Sequence, residues 1–231
     1  MRGAGCTYND IVDRKLDAHV ARTANRPIPS GRVSAKAAAY FLFIQCLIGF
    51  IVLMQFDWFS VFLGFSSLGI VIIYPLMKRF FWAPQLILGM AFSWGALMGW
   101  SVVMHTIGPT ALLLYGGTIL WVIGYDTIYA LQDLEDDILA GIHSSARLFG
   151  QYNRFWISVC YLGSILLITL SLYSKESGIY AYIGLVCFFC HLCWQILRLD
   201  PQNPILSLKL FRSNRNAGLI FFIFLSLDCL L

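Results

Sequence analysis

The amino-acid sequence predicts an all-α protein, a polytopic bundle of transmembrane helices. Hydrophobic residues make up 59% of the 231 residues and charged residues only 12%, whereas a soluble domain carries about 25% charged residues. Seven apolar segments are candidates to cross about 30 Å of hydrocarbon. They show almost no polar stripe at helical spacing, which a soluble amphipathic helix requires. The composition therefore indicates an integral membrane protein.

The seven candidate helices follow one another with short loops between them. They span, in order, 37–56, 58–77, 84–104, 109–129, 155–173, 179–197 and a shorter last segment at 217–231. The loops are too short to hold a second domain, and no internal repeat or low-complexity tract interrupts the chain. We therefore expect a single domain over residues 1–231, arranged as one helical bundle in the lipid bilayer.

Basic residues predict which helix ends share a membrane face. Of the 16 Lys and Arg residues, 15 lie in 1–36, 78–83, 130–154 and 198–216, and only Lys175 lies on the other side. By the positive-inside rule, the basic segments face the cytoplasm of a bacterium or the mitochondrial matrix. Topology and lipid headgroups thereby account for the net charge of +4, and we expect no nucleic-acid partner.

Two acidic clusters on that face are the strongest indication of chemistry. The first cluster is NDIVDRKLD at 9–17, the second is YDTIYALQDLEDD at 125–137, and four predicted crossings separate them. A carboxylate at the centre of a bilayer costs about 2.5–3.5 kcal/mol, so we expect the clusters to bind something cationic. The clusters contain eight of the 12 acidic residues: Asp10, Asp13, Asp17, Asp126, Asp133, Glu135, Asp136 and Asp137.

Helical spacing places the oxygen ligands of each cluster on one stripe. In the first cluster, Asn9, Asp13 and Asp17 recur at i, i+4 and i+8. In the second, Asp126, Asp133 and Asp137 recur at i, i+7 and i+11 on nearly one stripe. Oxygen ligands without convergent His or Cys suit Mg²⁺, which commonly takes phosphate oxygens as further ligands. The clusters therefore predict a site for magnesium and a diphosphate.

Basic residues on the same face are candidates to neutralise that diphosphate. They are Arg14, Arg22, Arg26, Lys78 and Arg79. For each of them, the alternative is a solvated charge that satisfies the positive-inside rule.

Four motifs in order resemble the UbiA family of intramembrane aromatic prenyltransferases. The first is RGAGCTYNDIVDRKLDAHVARTANRPIPSGRVS, which begins at Arg2. The others are YPLMKR at 74–79, PQLILGMAFSWGALMGW at 84–100 and the second acidic cluster, and these three resemble the branch that uses 4-hydroxybenzoate in ubiquinone biosynthesis. The resemblance extends along nearly the whole chain, as far as FRSNRNAGLI at 211–220.

The resemblance implies a bundle with a central cavity and a two-substrate reaction. A polyprenyl group would pass from an allylic polyprenyl diphosphate to the ring carbon ortho to the hydroxyl of 4-hydroxybenzoate. The implied Mg²⁺ ligands are Asn9, Asp10, Asp13, Asp126, Asp133 and Asp137. The implied diphosphate contacts are Arg22, Lys78 and Arg79, and the implied catalytic residues are Asp13, Lys78 and Asp133. Tyr74, Trp94 and Tyr129 are candidates to shield the allylic cation, with bilayer packing as the alternative.

Two features depart from the family pattern. Members of the family usually carry Lys where this chain has His143, and a histidine supplies less positive charge near neutral pH. The family has nine helices, with the first motif at the end of the second, whereas Met1 lies directly before that motif here. We therefore expect the first one to two helices to be missing from this chain. An overlooked upstream start, a truncated gene and a deliberately shorter form are the possible reasons.

Other functions remain open from the sequence: a membrane cation transporter, a prenyltransferase for a haem or menaquinone precursor, and an inactive fragment. A transporter predicts carboxylates throughout the depth of the bilayer, whereas these cluster at one face beside basic residues. The intact motif residues favour an active enzyme. The choice of 4-hydroxybenzoate as acceptor depends on the resemblance alone.

Overall fold

The computed structural model describes residues 2–18, 23–134, 141 and 143–231, without the side chains of Arg2, Leu16, Lys78 and Arg79. Every regular element of this part of the chain is helical, which confirms the predicted fold class. The helices are α1 (Arg2–Asp17), α2 (Ala35–Leu53), α3 (Trp58–Phe80), α4 (Pro84–Met104), α5 (Pro109–Ala130), α6 (Ser145–Phe149), α7 (Asn153–Ser174), α8 (Ile179–Arg198) and α9 (Pro204–Leu230). Short 3-10 turns follow α5 at Leu131–Asp133 and precede α7 at Gly150–Tyr152.

Capping side chains and prolines mark the starts of several of these helices. The side chains of Ser34, Asp57 and Asn203 accept hydrogen bonds from backbone N–H groups in the first turns of α2, α3 and α9. These contacts satisfy amides that have no partner within the helix. Helices α4, α5 and α9 each begin with Pro, whose fixed φ suits the first helical position.

Six helical segments of the described chain are long and apolar enough to cross a membrane. They are Ala35–Leu53, Trp58–Met77, Pro84–Met104, Pro109–Asp133, Ser145–Ser174 and Ile179–Arg198. They confirm the first six predicted segments and the integral membrane character of the protein. Many apolar side chains on their surfaces are exposed, such as Phe43 at 64% and Ile48 at 59% on α2, as expected where lipid is the solvent.

The seventh predicted segment is not among these candidate spans of the described chain, and its predicted start at residue 217 is wrong. Helix α9 begins at Pro204 and continues for 27 residues, so it includes three basic residues that the sequence pattern had assigned to a loop: Lys209, Arg212 and Arg215. These charges interrupt the apolar pattern without interrupting the helix, because Lys and Arg are good helix formers.

The last turn of α9 is tied to the start of α8. The carboxylate of Asp228 accepts hydrogen bonds from the backbone N–H groups of Gly178, at 2.8 Å, and Ala181, at 3.2 Å. Gly178 precedes α8 and has no side chain with which to cap it. The contact places the end of α9 beside the start of α8, so the two helices run antiparallel.

Helices α5 and α7 approach closely because glycines line their contact. A Cβ atom added at Gly117 would lie 3.1 Å from the backbone oxygen of Ser164 and 2.8 Å from Ile168 Cγ1. A Cβ atom at Gly124 would collide with the ring of Tyr161, which is itself buried. Small residues commonly allow such close backbone approach in membrane bundles.

Replacing Gly117 by Val should destabilise the bundle by about 1–3 kcal/mol, because the added methyl groups meet backbone atoms that cannot rotate away. The measurement is the free energy of unfolding in detergent micelles. Gly99→Val is the control, since a Cβ atom at Gly99 meets nothing within 4 Å. Equal losses in the two variants would contradict the importance of this contact.

Asp57 lies at the face opposite the two acidic clusters, where it caps α3. Its carboxylate accepts from the Ser60 hydroxyl at 2.7 Å and lies 3.3 Å from Nδ1 of His105. The hydrogen bond from the Ser60 hydroxyl is the main cause that holds the pKa of Asp57 below its ordinary value of 3.8, and partial desolvation opposes it. The backbone N–H of Ser60 and the nearby His105 also lower the pKa.

Because this pKa is depressed in the folded protein, the charge of Asp57 stabilises the fold above the ordinary pKa of 3.8 and loses that effect as the pH falls through the folded value. Asp57→Asn keeps a capping side chain but removes the charge. We expect the wild type to unfold at a higher temperature than this variant near neutral pH. The difference should shrink as the pH falls below 3.8. A difference that is independent of pH would contradict the prediction.

Candidate functional site

Helix α1 carries the first acidic cluster and is held in place by contacts with α2 and α3. The Thr7 hydroxyl donates to Oε1 of Gln45 at 3.2 Å, and the Tyr8 hydroxyl donates to the backbone oxygen of Ile72 at 3.2 Å. These contacts fix the rotation of α1 about its axis. Asp13 is only 2% exposed, and Asp10 is half-buried. The cluster therefore has one inward carboxylate and a neighbour closer to solvent.

Arg26 bridges two carboxylates of this cluster. Its Nη1 atom lies 2.9 Å from Oδ1 of Asp10 and 3.3 Å from Oδ2 of Asp17. The Thr23 hydroxyl donates to the backbone oxygen of Asp17 at 2.8 Å. Together these contacts hold Thr23 and Arg26 against the acidic residues of α1. The sequence pattern makes Arg26 a candidate to neutralise the diphosphate. In the structure, Arg26 is paired with acidic residues of the cluster itself.

The second acidic cluster begins in the last turns of α5 and continues into the 3-10 turn at Leu131–Asp133. Asp126 and Asp133 are half-buried. On the side of α9, the ring of Phe211 lies 5.7 Å from that of Tyr125 and 4.5 Å from that of Tyr129. Tyr125, Tyr129 and Phe211 therefore form an aromatic surface beside Asp126.

Trp121 extends this aromatic surface into the bundle. Its ring meets those of Tyr125 and Phe188 edge to face, with centroids 5.6 and 4.9 Å apart. Its indole N–H donates to Oδ1 of Asn214 at 2.9 Å. The contacts join α5, α8 and α9. Sequence reasoning missed Phe211 and Asn214 as neighbours of the second cluster, although a polar Asn beside the apolar end of α9 was an available signal.

The two clusters lie on the same side of the membrane, because four candidate spans, α2 to α5, separate the end of α1 from the end of α5. Arg22 and Asp137 lie outside the described residues, as do the side chains of Lys78 and Arg79. Among the side chains that are described, no group of three or more His, Cys, Asp or Glu lies close enough to hold a metal ion. The ligand set therefore stays a prediction.

The proposed role of Trp94 and the central cavity both concern the interior of the bundle. Trp94 donates to the backbone oxygen of Leu63 at 3.0 Å, and its ring meets that of Tyr115 at 5.8 Å. Packing between α3, α4 and α5 accounts for this tryptophan. A pocket of about 540 Å³ lies at the turn between α7 and α8, lined by residues that include Tyr173 and Tyr182. The central cavity implied by the resemblance stays a prediction.

The helical bundle and its two acidic clusters define the class of protein, and comparison with known proteins gives the family. The chain belongs to the UbiA prenyltransferase family, whose pattern matches residues 1–225. This result confirms the family that the sequence motifs resemble.

Curated relatives that share one name are similar to almost the whole chain. The chain is 44% identical over 234 residues to "4-hydroxybenzoate polyprenyltransferase, mitochondrial" of Drosophila pseudoobscura pseudoobscura, covering 100% of this chain and 58% of the relative. It is 43% identical over 227 residues to the protein of that name from Homo sapiens, covering 96% of this chain and 60% of the relative. The chain thus spans about three fifths of the length of these relatives.

A solved structure has the same fold. It is that of a UbiA homolog from Aeropyrum pernix K1, with a TM-score of 0.84, 24% sequence identity, and coverage of 99% of this chain and 85% of that chain. At this identity, the likeness shows the fold alone.

Arg26→Gln should lower the free energy of unfolding by about 1 kcal/mol or less, because the half-buried carboxylates of Asp10 and Asp17 lose their shared cation. The loss should become smaller at high salt, which screens the interaction. Chemical denaturation in detergent at low and high ionic strength measures both effects. Arg32→Gln is the control, since its guanidinium donates to Ser30 and to the backbone oxygen of Asn25. The same loss and salt dependence in the control would contradict the bridging role of Arg26.

Proposed function

We propose that this protein is a magnesium-dependent 4-hydroxybenzoate polyprenyltransferase. It transfers a polyprenyl group from an allylic polyprenyl diphosphate to the ring carbon ortho to the hydroxyl, a step of ubiquinone biosynthesis. The observation that carries the proposal is the pair of acidic clusters at the ends of α1 and α5, on one membrane face of a UbiA fold. Curated relatives at 41–44% identity are named for 4-hydroxybenzoate, and these names support the choice of acceptor.

The chemistry of the two clusters fits Mg²⁺. Carboxylate and amide oxygens are hard ligands, and Mg²⁺ usually needs only a few of them beside phosphate oxygens and water. The buried position of Asp13, at 2% exposure, also favours a cationic partner for its carboxylate. The proposed ligands are Asn9, Asp10, Asp13, Asp126 and Asp133, together with Asp137 outside the described part of the chain. When bound, the metal offsets the negative charge of the departing diphosphate.

The residues of the chain position the substrates and exclude water. We assign the diphosphate to Arg22, Lys78 and Arg79, whose charge offsets that of the leaving group as the bond from the allylic carbon to oxygen breaks. The ring carbon of 4-hydroxybenzoate then bonds to the allylic carbon and loses its proton. The aromatic surface of Tyr125, Tyr129 and Phe211 is suited to exclude water and to present ring faces to the cation.

The mitochondrial inner membrane is the proposed location, since the names of the curated relatives include that organelle. The excess of basic residues in the segments beside the acidic clusters supports the matrix side for the site. In a bacterial cell, the equivalent face is the cytoplasmic face of the inner membrane.

Asp13→Asn and Asp133→Asn should each lower turnover by more than about 100-fold, because each removes a charged metal ligand without changing the apolar spans. The assay is prenyl transfer from an allylic diphosphate to labelled 4-hydroxybenzoate in membranes, with Mg²⁺ and then with a chelator. Asp57→Asn is the matched control, because this carboxylate lies at the opposite face and should leave turnover near the wild-type value. Near-normal rates in both cluster variants would contradict the site. Product from another aromatic acceptor but none from 4-hydroxybenzoate would contradict the acceptor.

A further inference from the structure

A series of buried hydrogen bonds ties the segment after the second acidic cluster to α4 and α5. Oε1 of Gln85, at the start of α4, accepts from the backbone N–H of Ser145 at 2.8 Å. The hydroxyls of Ser145 and Thr127 lie 2.6 Å apart, and Thr127 also donates to the backbone oxygen of Ile123 at 2.6 Å. A hydroxyl has one proton, so Ser145 is the donor to Thr127. Ser145 therefore links the other two side chains in one series, with its backbone N–H donating to Gln85 and its hydroxyl donating to Thr127.

Burial makes these contacts strong constraints on the fold. Gln85 is 7% exposed, and Thr127 and Ser145 are 0% exposed. A buried polar group that loses its partner suffers the full cost of desolvation. The hydrogen bond to Gln85 therefore holds the backbone amide of Ser145 in place, although 60 residues separate the two in sequence.

Hydrogen bonds within residues 144–153 hold together the segment that Gln85 contacts. The Ser144 hydroxyl accepts from the backbone N–H of Arg147 at 3.3 Å, which caps α6. The side-chain amide of Asn153 donates to the backbone oxygens of Ala146 and Gly150, at 2.9 and 2.6 Å. Residues 144–153 therefore form a fixed end for the segment that begins at the second acidic cluster.

The series joins the parts of the chain to which the proposed function assigns its ligands. Thr127 directly follows Asp126, and Ser145 ends the segment that contains Asp133 and Asp137. Gln85 is the second residue of α4, the helix that follows Lys78 and Arg79. A shift of Gln85 relative to Ser145 would therefore change the spacing between the assigned diphosphate contacts and the assigned metal ligands.

We propose that Gln85, Thr127 and Ser145 are positioning residues that set Asp126 and Asp133 of the second acidic cluster for binding of Mg²⁺ and diphosphate. This inference rests on the proposed function, but it concerns residues that do not contact the substrates. Thr127 lies at the end of α5 that carries Asp126 and leads into the turn with Asp133, and Gln85 holds Ser145 against Thr127. The contacts thereby set the position of these two carboxylates relative to α4.

The test compares Gln85→Met, which removes the acceptor at similar volume, with Gln85→Glu, which keeps an acceptor oxygen. Ser101→Ala is the matched control for the loss of a buried polar contact, since Ser101 is 0% exposed and its hydroxyl oxygen lies 3.0 Å from that of Ser60 in another part of the bundle. Gln85→Met should raise the half-saturating Mg²⁺ concentration for turnover about 10- to 100-fold. Gln85→Glu should restore the wild-type value, and Ser101→Ala should not change it.

Two measurements do not depend on turnover. Hydrogen–deuterium exchange of the Ser145 amide should become faster in Gln85→Met and return to the wild-type rate in Gln85→Glu. The rise in unfolding temperature caused by Mg²⁺ with inorganic diphosphate should require a higher Mg²⁺ concentration in Gln85→Met alone. Both results would support the positioning role even if 4-hydroxybenzoate proved to be the wrong acceptor.

Two outcomes would overturn the inference. One is faster exchange in Gln85→Met with an unchanged dependence on Mg²⁺, which would make the contact structural only. The other is an equal change in Gln85→Met and Ser101→Ala, which would indicate general destabilisation. A wild-type chain that responds to Mg²⁺ and inorganic diphosphate but makes no product from 4-hydroxybenzoate would count against the proposed acceptor and leave the positioning role to be decided by the first two measurements.

Discussion

Hydrocarbon offers no hydrogen-bond partner, and this constraint governs both the helices and the contacts between them. A polar group inside the bundle must find its partner in the protein. In the C-terminal half, the Tyr161 hydroxyl donates to Oε1 of Gln195 at 2.7 Å, and Nε2 of Gln195 donates to the Ser213 hydroxyl at 2.9 Å. This network joins α7, α8 and α9 around an otherwise apolar core. Mutual satisfaction of these groups specifies one arrangement of the three helices.

The same constraint connects the architecture to the candidate site. Apolar contacts alone would permit neighbouring helices to slide or rotate, because lipid and leucine are about equally apolar. Directional contacts prevent this movement near the acidic clusters: Trp121 with Asn214, Gln85 with Ser145, and Thr7 with Gln45. At the membrane face, ion pairs contribute as well, because the Arg26 guanidinium contacts two carboxylates. The site is therefore supported from inside by hydrogen bonds and from outside by ion pairs.

The sequence was sufficient for features that depend on local patterns. Hydrocarbon thickness fixes the length of an apolar span, so the six segments were predictable, and the number of crossings placed both clusters at one face. The start of α9 was missed because its basic residues outweighed the Asn203 and Pro204 signals of a helix start. Contacts such as Gln85 with Ser145 and Tyr129 with Phe211 join distant residues whose identities do not indicate a partner. Only the packed bundle reveals them.

The carboxylate of Asp228 at the start of α8 has a consequence for the order of assembly. During synthesis, α8 leaves the ribosome before α9, so the amides of Gly178 and Ala181 must wait for the end of the next helix. Until then, water or lipid headgroups have to satisfy them. The α8–α9 hairpin therefore reaches its final form only after almost all of this sequence has been translated, and its closure is a late event in biogenesis rather than a local one.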